Sequence, residues 1–404
     1  MVNIIRDKTP GFQEKVWLMA ESARFDMSEE DMFFESYAGG KSCGRLPAPN
    51  KVPKAFMSSD CVFDCQYCGC RRSNDQKRGF TFTPEELADI SVKGARLNNH
   101  GIFLTSAVYK SPDYTQELIN RTIHEIRKVH GYRGYLHAKI MPGADLRLIY
   151  EAGLMADRLS VNIELPHSSG YQTIARQKNK ENILGPMGAI SSMIKELGGR
   201  RSFATSQITQ MMVGTMGEDD RTIIALSQAM YKKYRLSRVY YSAFSPVQET
   251  AVLPSEKIPF WRQNRIYQAD RLLAMYKMNV DELVPAGAPF LERDIDPKTA
   301  WALRNLDLFP MEVTKAGYES LIRVPGIGPA GAQKIVQTRK YAQITPEALR
   351  KMRISLKYSL YFLTFGGRYY GGILDAELLR ARLAKAPVKV QQMQLPGQET
   401  GLFS

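Results

Sequence analysis

Three cysteines fall within one short run, Asp60-Cys61-Val62-Phe63-Asp64-Cys65-Gln66-Tyr67-Cys68-Gly69. The spacing Cys-x3-Cys-x2-Cys suits thiolates that share one metal cluster. The number matters as much as the spacing. Each iron of a four-iron cluster wants a thiolate, so three thiolates leave one iron open to a small molecule. Zinc fits less well, because a zinc site pairs two Cys-x2-Cys hooks, or one hook with two histidines. The chain has no second hook, and the nearest histidine, His100, lies far downstream. A disulfide framework needs an even cysteine count in a secreted chain. This chain has 5 cysteines, and its first residues do not read as a signal peptide.

The bulk numbers set the frame. A chain of 404 residues is long enough for two or three domains and a large core. Hydrophobic content of 44% and charged content of 24% are those of a soluble globular protein. No apolar run has the length of a membrane span. With no targeting segment read, the cytoplasm is the expected compartment, where thiols stay reduced. The net charge of +14 is uneven. Residues 315–404 hold 14 Lys or Arg against 5 Asp or Glu, a difference of +9. A basic C-terminal region suggests a polyanionic partner, nucleic acid first, with solubilising charge as the plainer explanation.

Elements that could position the cysteines follow from patterning. An amphipathic helix is expected over 11–25, within an N-terminal helical extension of 1–50. β-rich runs occur at 54–58, 101–106, 134–140, 158–164, 206–213 and 238–244. Helical stretches lie between them at 84–97, 115–130, 145–151, 184–197 and 219–234. Six strands alternating with helices predict right-handed βαβ units, an α/β fold and a parallel sheet over 51–250. In such barrels the working groups sit at the C-terminal ends of strands. The fourth strand, Ser160-Val161-Asn162-Ile163-Glu164, is expected to place Ser160, Asn162 and Glu164 on one face by period-two alternation. A polar face turned inward is costly unless it lines a wet or liganded cavity. His137 and Lys139 share a face of the third strand, and Tyr240 or Tyr241 lies on the sixth. These are candidates for substrate contact or for proton or hydrogen-atom transfer. A histidine in a strand also serves as a hydrogen-bonded core residue. A helix over 261–277 and a proline-containing connecting region, 251–307, lead to a C-terminal domain.

Cys-x3-Cys-x2-Cys with Tyr67 just before its last cysteine resembles the signature of the radical S-adenosylmethionine (SAM) enzymes. That resemblance implies a (β/α)6 partial TIM barrel with the cysteine loop after the first strand. It implies a [4Fe-4S] cluster on Cys61, Cys65 and Cys68, and SAM as cosubstrate. It also implies an electron donor such as flavodoxin or ferredoxin. SAM contacts carried over by position are Tyr67, then Thr105 and Ser106 where many relatives have Gly-Gly-Glu. Ser160, Asn162 and Glu164 follow on the fourth strand, and Gly214 and Gly217 in a turn after the fifth. Cys43 and Cys70 read as buried thiols or a hydrogen donor. Two spare cysteines cannot hold a second four-thiolate cluster, which argues against subclasses that sacrifice one to insert sulfur.

A second motif, Arg323-Val-Pro-Gly326-Ile-Gly328-Pro, resembles a helix-hairpin-helix turn, expected within an all-α domain over 308–370. Its glycines permit a tight turn, and backbone N–H groups at a following helix N-terminus can face a phosphate. Gly326, Gly328, Lys334, Arg339 and Lys340 are the candidate nucleic-acid contacts. The plainer alternative is a helical hairpin for protein contacts. A degenerate second hairpin, without its glycine, is expected over 345–362, and a helix and tail over 371–404.

With the run Arg238-Val-Tyr-Tyr-Ser-Ala243, the two motifs together resemble a bacterial family of DNA modification or repair radical SAM proteins. That family is linked to a uracil-DNA glycosylase-like partner. The resemblance implies an enzyme that acts on a base or sugar of nucleic acid, DNA first. The same radical chemistry on tRNA or a peptide is the enzyme alternative. A non-catalytic iron–sulfur DNA-binding protein is the alternative from another class.

Overall fold

The structure, a computed structural model, describes residues 10–25, 54–98, 100–198, 202–247, 250, 252–372 and 374–384. It forms two compact units. One comprises Met1–Leu273 with Asn279–Phe290, the other Ala274–Met278 with Leu291–Ser404. Cys43, most of the N-terminal extension and the tail beyond residue 384 lie outside the described residues.

Six strands build the first unit: β1 Lys54–Phe56, β2 Ile102–Thr105, β3 Leu136–Lys139, β4 Arg158–Ser160, β5 Ser206–Val213 and β6 Arg238–Ala243. They pair in chain order, every neighbour parallel. Helices Pro84–Asn98, Pro112–His124, Leu146–Met155, Lys180–Leu197 and Asp220–Tyr234 make the crossovers. An α/β unit with a parallel six-stranded sheet is what the alternation predicted. The helices start where the chain supplies a cap. Ser111, Asp145, Asn179 and Asp219 each accept a bond from a backbone N–H of the first turn. The helix expected over 115–130 begins earlier, at Pro112, and closes as a π-turn, Glu125–Val129.

The two faces of the sheet differ in kind. Leu104, Ala138, Leu159, Gln207 and Val239 face the helices and are fully buried. The other face carries Lys54, Phe103, His137, Lys139, Arg158, Gln210, Arg238 and Tyr240, and most of these are only half buried. Tyr241 belongs to the helix face, which corrects its reading as a site candidate. Its hydroxyl donates to Asp270 at 2.8 Å and meets Ser227 Oγ at 2.7 Å. Alternation gives the inward position to Tyr240, which stacks under Arg238 at 4.9 Å.

The fourth strand is shorter than expected. Regular pairing stops at Ser160↔Ile208 and returns as a bridge at Glu164↔Met211. Four residues on one side therefore span three on the other, a bulge that breaks the alternation predicted through Glu164. Thr209 fills the gap, donating Oγ1 to the Val161 carbonyl at 2.8 Å and accepting from Ile163 N at 3.1 Å.

The second unit is not all-α. It contains a three-stranded sheet of β7 Met311–Glu312, β8 Leu363–Phe365 and β9 Arg368–Tyr369. Gly366 and Gly367, at φ 61° and 78°, make the tight β8–β9 turn that needs left-handed residues. Glu312 closes this sheet, accepting from Thr364 Oγ1 at 3.0 Å, Gly366 N at 3.1 Å and Gly367 N at 2.8 Å. Short helices lie beside this sheet. Helices Tyr318–Leu321 and Pro329–Thr338 flank the glycine turn, and Pro346–Lys351 and Leu356–Ser359 flank the second. Arg353, at φ 64°, takes the left-handed position there that a glycine would occupy.

Burial alone would raise the Glu312 carboxyl. The N–H of Gly367, the Thr314 hydroxyl and N–H, and the N–H of Gly366 outweigh it and bring it down to about 2. The folded value lies below the unfolded one, so this stabilisation is present above the ordinary glutamate range and disappears as pH falls toward 2. Thermal unfolding of the wild-type chain should lose stability between about pH 5 and pH 2. Glu312→Gln should start less stable at neutral pH and lose less over that window. Parallel pH profiles for the two chains would refute the assignment.

Candidate active site

The cysteine loop leaves the end of β1 and returns over its own base. Ser59 N donates to Phe80 O at 3.0 Å and Phe82 N to Met57 O at 2.9 Å, with an antiparallel bridge Ser58↔Thr81 between them. The loop is also fastened to its neighbours. Val62 N bonds Val108 O, just past β2, at 2.8 Å. Gln66 N bonds Ile174 O at 2.8 Å, and Asp64 N bonds Gln177 Oε1 at 3.1 Å, both past β4. Within the loop, Cys68 N turns back to Cys65 O at 2.9 Å. The three cysteines are thus carried on a closed segment at the C-terminal edge of the sheet.

A buried lysine joins this loop to the end of β4. Lys178 Nζ lies 3.0 Å from Tyr67 Oη and 3.6 Å from Glu164 Oε1. Lys139 Nζ approaches the same carboxylate oxygen at 4.0 Å. Burial opposes charge on Lys178, but Tyr67, Glu164 and Cys65 outweigh it, and the ammonium is held well above the usual lysine value. Burial drives the Tyr67 hydroxyl far up as well. Glu164 itself sits at φ 59°, a strained conformation for a side-chain-bearing residue, fixed by Glu164 N to Gln210 O at 2.9 Å and Met212 N to Glu164 O at 2.8 Å. A cavity of about 590 Å³ opens beside Lys178, lined by Ser168, Tyr171, Arg176, Asn179 and Glu181 among others.

The remaining expected contacts lie at or just past the C-terminal ends of β2, β4 and β5. Thr105 and Ser106 are buried at the end of β2, and the Ser106 hydroxyl donates to Ala107 O at 2.6 Å. Asn162 reaches Gln210 at 3.4 Å. Gly214 and Gly217 have φ of 86° and 70°, so the turn needs them. A Cβ on Gly214 would also collide with the Ile258 side chain. Sequence reasoning missed what holds this turn. The Glu218 carboxylate accepts from Gly214 N, and from Met216 N at 2.8 Å. Arg262 then anchors Glu218 O at 2.6 Å and Asp220 at 2.7 Å. An acid directly after Gly214-Thr-Met-Gly217 was a legible signal. Lys178 had none, because its partner Tyr67 is 111 residues away.

The donor set fits a thiolate-held cluster by chemistry. Cys61, Cys65 and Cys68 interact electrostatically with one another, and Lys178 favours the thiolate at each. Burial raises the Cys61 and Cys65 thiols. A hydrogen bond from Cys70 brings Cys68 down to about 7 and pushes Cys70 itself up. Among the described residues no three His, Cys, Asp or Glu side chains are drawn together as a preformed metal site. Ser160 Oγ and His137 Nε2, two buried polar atoms on the inner face, meet no hydrogen-bond partner among the described residues.

The second unit's candidates separate into two groups. The hairpin glycines face the protein. A Cβ on Gly326, at φ 85°, would meet Ser355 O at 2.7 Å, and Gly328 packs on Tyr276 Oη. Lys298 Nζ donates to the hairpin carbonyl of Ile327. Arg339 is tied to Ala316 O at 2.6 Å. Lys334 and Lys340 are exposed on and just past helix Pro329–Thr338.

Among the described residues no helix is long and apolar enough to cross a membrane. No family model and no curated protein sequence matches this chain. Several solved structures match part of it. The FeFe-hydrogenase maturase HydG from Carboxydothermus hydrogenoformans is 14% identical over 65% of this chain and 69% of its own, with TM-score 0.44. A second HydG structure is 12% identical over 65% of this chain and 62% of its own, with TM-score 0.41. The radical S-adenosylmethionine methyltransferase TsrM from Kitasatospora setae, solved with cobalamin and a [4Fe-4S] cluster, is 13% identical. That match covers 49% of this chain and 38% of TsrM, with TM-score 0.35.

Removing one partner of a buried charged pair leaves the other uncompensated, at a cost of about 3–5 kcal/mol. Lys178→Met should therefore destabilise the chain by about that much in denaturant unfolding, and adding Glu164→Gln should recover part of the loss. Strictly additive effects of the two changes would show that the ammonium and carboxylate are not coupled.

Proposed function

We propose that this chain is a radical SAM enzyme that modifies or repairs a base or sugar of nucleic acid, DNA first. The observation that carries the reading is the three-cysteine loop, pinned at the C-terminal edge of a parallel six-stranded sheet whose inner face is polar. Cys61, Cys65 and Cys68 would hold a [4Fe-4S] cluster. Once reduced by an external one-electron donor, a cluster held there would pass that electron to bound SAM, which would give methionine and a 5′-deoxyadenosyl radical able to take a hydrogen atom from the substrate. The chain's own groups do the holding. Glu164, fixed by its backbone bonds, presents a carboxylate for the SAM amino group. Lys178 keeps that carboxylate and Tyr67 in one arrangement. Thr105, Ser106, Ser160 and Asn162 offer polar atoms nearby. The Gly214–Gly217 turn presents bare backbone suited to a flat ring.

The nucleic-acid half rests on the second unit. Its hairpins and its exposed Lys334 and Lys340 suit a phosphate backbone, and contacts of that kind position a duplex without reading its sequence. A base would leave the stack to reach the sheet. A uracil-DNA glycosylase-like partner and a flavodoxin or ferredoxin donor complete the proposal.

Anaerobically reconstituted protein, given SAM and dithionite, should yield 5′-deoxyadenosine. Cys61→Ala, Cys65→Ala and Cys68→Ala should each abolish that product and the cluster's visible absorption, while Cys70→Ala keeps both. A four-iron spectrum surviving in any of the first three variants would overturn the ligand assignment.

Full-length protein should bind duplex DNA with affinity that falls steeply with salt and depends little on sequence. Lys334→Gln with Lys340→Gln should flatten the salt dependence by roughly one power of salt concentration for each phosphate no longer neutralised. Substituting the hairpin glycines would not serve, because both pack against protein. An unchanged salt slope in the double variant would remove helix Pro329–Thr338 from the interface.

A further inference from the structure

Just past the end of β2 the chain carries Tyr109, Lys110 and Tyr114 together on the rim of the sheet. Lys110 takes φ 60°, a left-handed angle that a lysine adopts only when its surroundings enforce it. The enforcing group is the buried Thr115. Its hydroxyl accepts from Tyr109 N at 2.8 Å and lies 2.7 Å from both Tyr109 O and Ser111 O. The Lys110 ammonium stands over two rings, 5.3 Å from the centre of Tyr109 and 4.6 Å from that of Tyr114. The rings are 6.0 Å apart. Lys110 is exposed, Tyr114 is 38% exposed, and among the described residues Lys110 makes no ion pair.

This turn begins one residue after Val108, whose carbonyl fastens the cysteine loop. On its other side it approaches the cavity of about 590 Å³ beside Lys178. The link is Gly143, in the loop after β3. Its N–H donates to Asn182 O at 2.9 Å, and a Cβ there would stand 3.5 Å from Asn182 Cβ and 4.0 Å from Pro112 Cγ. Pro112 follows the turn directly, and Asn182 follows Asn179, Lys180 and Glu181 of the cavity wall. The cavity's size falls within the roughly 300–1,000 Å³ of small-ligand sites. Arg176 and Lys180 on its wall are exposed and make no ion pair among the described residues, and Ser168 and Ser169 add hydroxyls. Glu181 is the acid of that wall. Asp113, next to Pro112, and Asp145, near Gly143, each give an oxygen to a backbone N–H, of Asp145 at 2.8 Å and of Arg147 at 2.7 Å.

We propose that this rim is a track for an unpaired stretch of the nucleic-acid substrate. One base stacks on the exposed Tyr114 ring, Lys110 meets the phosphate beside it, and the neighbouring nucleotide enters the cavity. Aromatic rings set among cations suit a single strand, because every base has a flat face to stack and every nucleotide a phosphate to neutralise. A duplex keeps its bases inside and cannot use the rings, so the platform selects bases already out of the stack. Lys178 ties the track to the chemistry. Its ammonium forms part of the cavity wall and lies 3.0 Å from Tyr67 Oη in the cysteine loop. This deepens the nucleic-acid reading above and rests on it for the class of substrate. The track itself is testable without cluster or SAM.

The probe is a short single-stranded deoxythymidine oligonucleotide with one central 2-aminopurine, whose emission falls when its ring stacks on another. Titrated into the full-length chain, it should bind with quenching. Tyr114→Ala should weaken binding about tenfold and remove most of the quenching, the usual result of losing a stacking ring, while Tyr114→Phe keeps both. Lys110→Gln should lower the slope of log affinity against log salt by roughly 0.7, the share of one phosphate on a single strand. Arg176→Gln with Lys180→Gln should lower it by roughly twice that. Lys334→Gln with Lys340→Gln, in the second unit, should leave the quenching at saturation unchanged. Binding without quenching, quenching that survives Tyr114→Ala, or quenching lost in the second-unit variant would each overturn the platform. An unchanged slope in the Arg176 and Lys180 double variant would remove the cavity from the track. Salt-dependent duplex binding with no single-strand quenching would leave the nucleic-acid reading standing without the track. Failure to bind either form would sink both.

Discussion

Everything at the candidate site hangs on one buried ammonium. Lys178 reaches the cysteine loop through Tyr67 at 3.0 Å and the end of β4 through Glu164 at 3.6 Å. Those two segments are far apart in sequence, and each is in an unfavourable state alone. Tyr67 is half-buried, and Glu164 is a buried carboxylate on a left-handed backbone. A lysine in the same pocket would be equally costly without them. Together they satisfy one another, and the nearby Lys178 ammonium favours the ionised form of the cysteines. Backbone bonds hold the same loop to the segments after both β2 and β4, through Val62 to Val108, Ala107 to Ser58 and Gln66 to Ile174.

The bulge in the fourth strand belongs to the same logic. A continuous strand would have alternated strictly, and a polar residue facing in at Ser160 would face in again at Asn162 and Glu164. The extra residue shifts that phase, and the backbone twist at Glu164 aims its carboxylate at Lys178 and Lys139. The Thr209 side chain makes this possible by taking over two backbone partners that regular pairing would have used. Local strain is thus offset by a specific hydrogen-bonding side chain, as in other sites where geometry is fixed at a cost in backbone conformation.

How much of this could be read from the chain depended on range. The sheet was legible because each strand and helix carries its own period and each crossover its own cap. The cysteine loop was legible because its three residues are neighbours. Ser160 lies on the expected face of its strand, whereas Glu164 falls beyond the strand's end, since nothing local announces that Thr209 will absorb a bulge. Tyr240 and Tyr241 could not be separated until register showed which one meets Asp270. The three-stranded sheet of the second unit was missed although Thr364-Phe365-Gly366-Gly367-Arg368-Tyr369 has the residues of a tight hairpin. Its first strand is only two residues long and pairs with a strand far away in sequence. Lys178 was invisible for the same reason, as a long-range partner with no periodic signal of its own.

The hairpin region shows why residue type alone misassigns roles. Glycine in such a turn can serve either an approaching phosphate or an approaching segment of the same chain, because both need the space a Cβ would fill. Here the space at Gly326 is taken by Ser355 O. The second hairpin, which lacks a glycine at its own turn, supplies that atom, with Arg353 holding the left-handed angle instead. The two hairpins therefore brace each other through the positions that seemed most suited to an outside ligand. What they leave outside is side-chain charge, Lys334 and Lys340. Exposed Arg350, Lys351, Arg353 and Lys357 around the second turn add to that charge. Charge displayed in this way would position a phosphate backbone without reading its sequence, because side-chain charge and backbone N–H groups carry no base information.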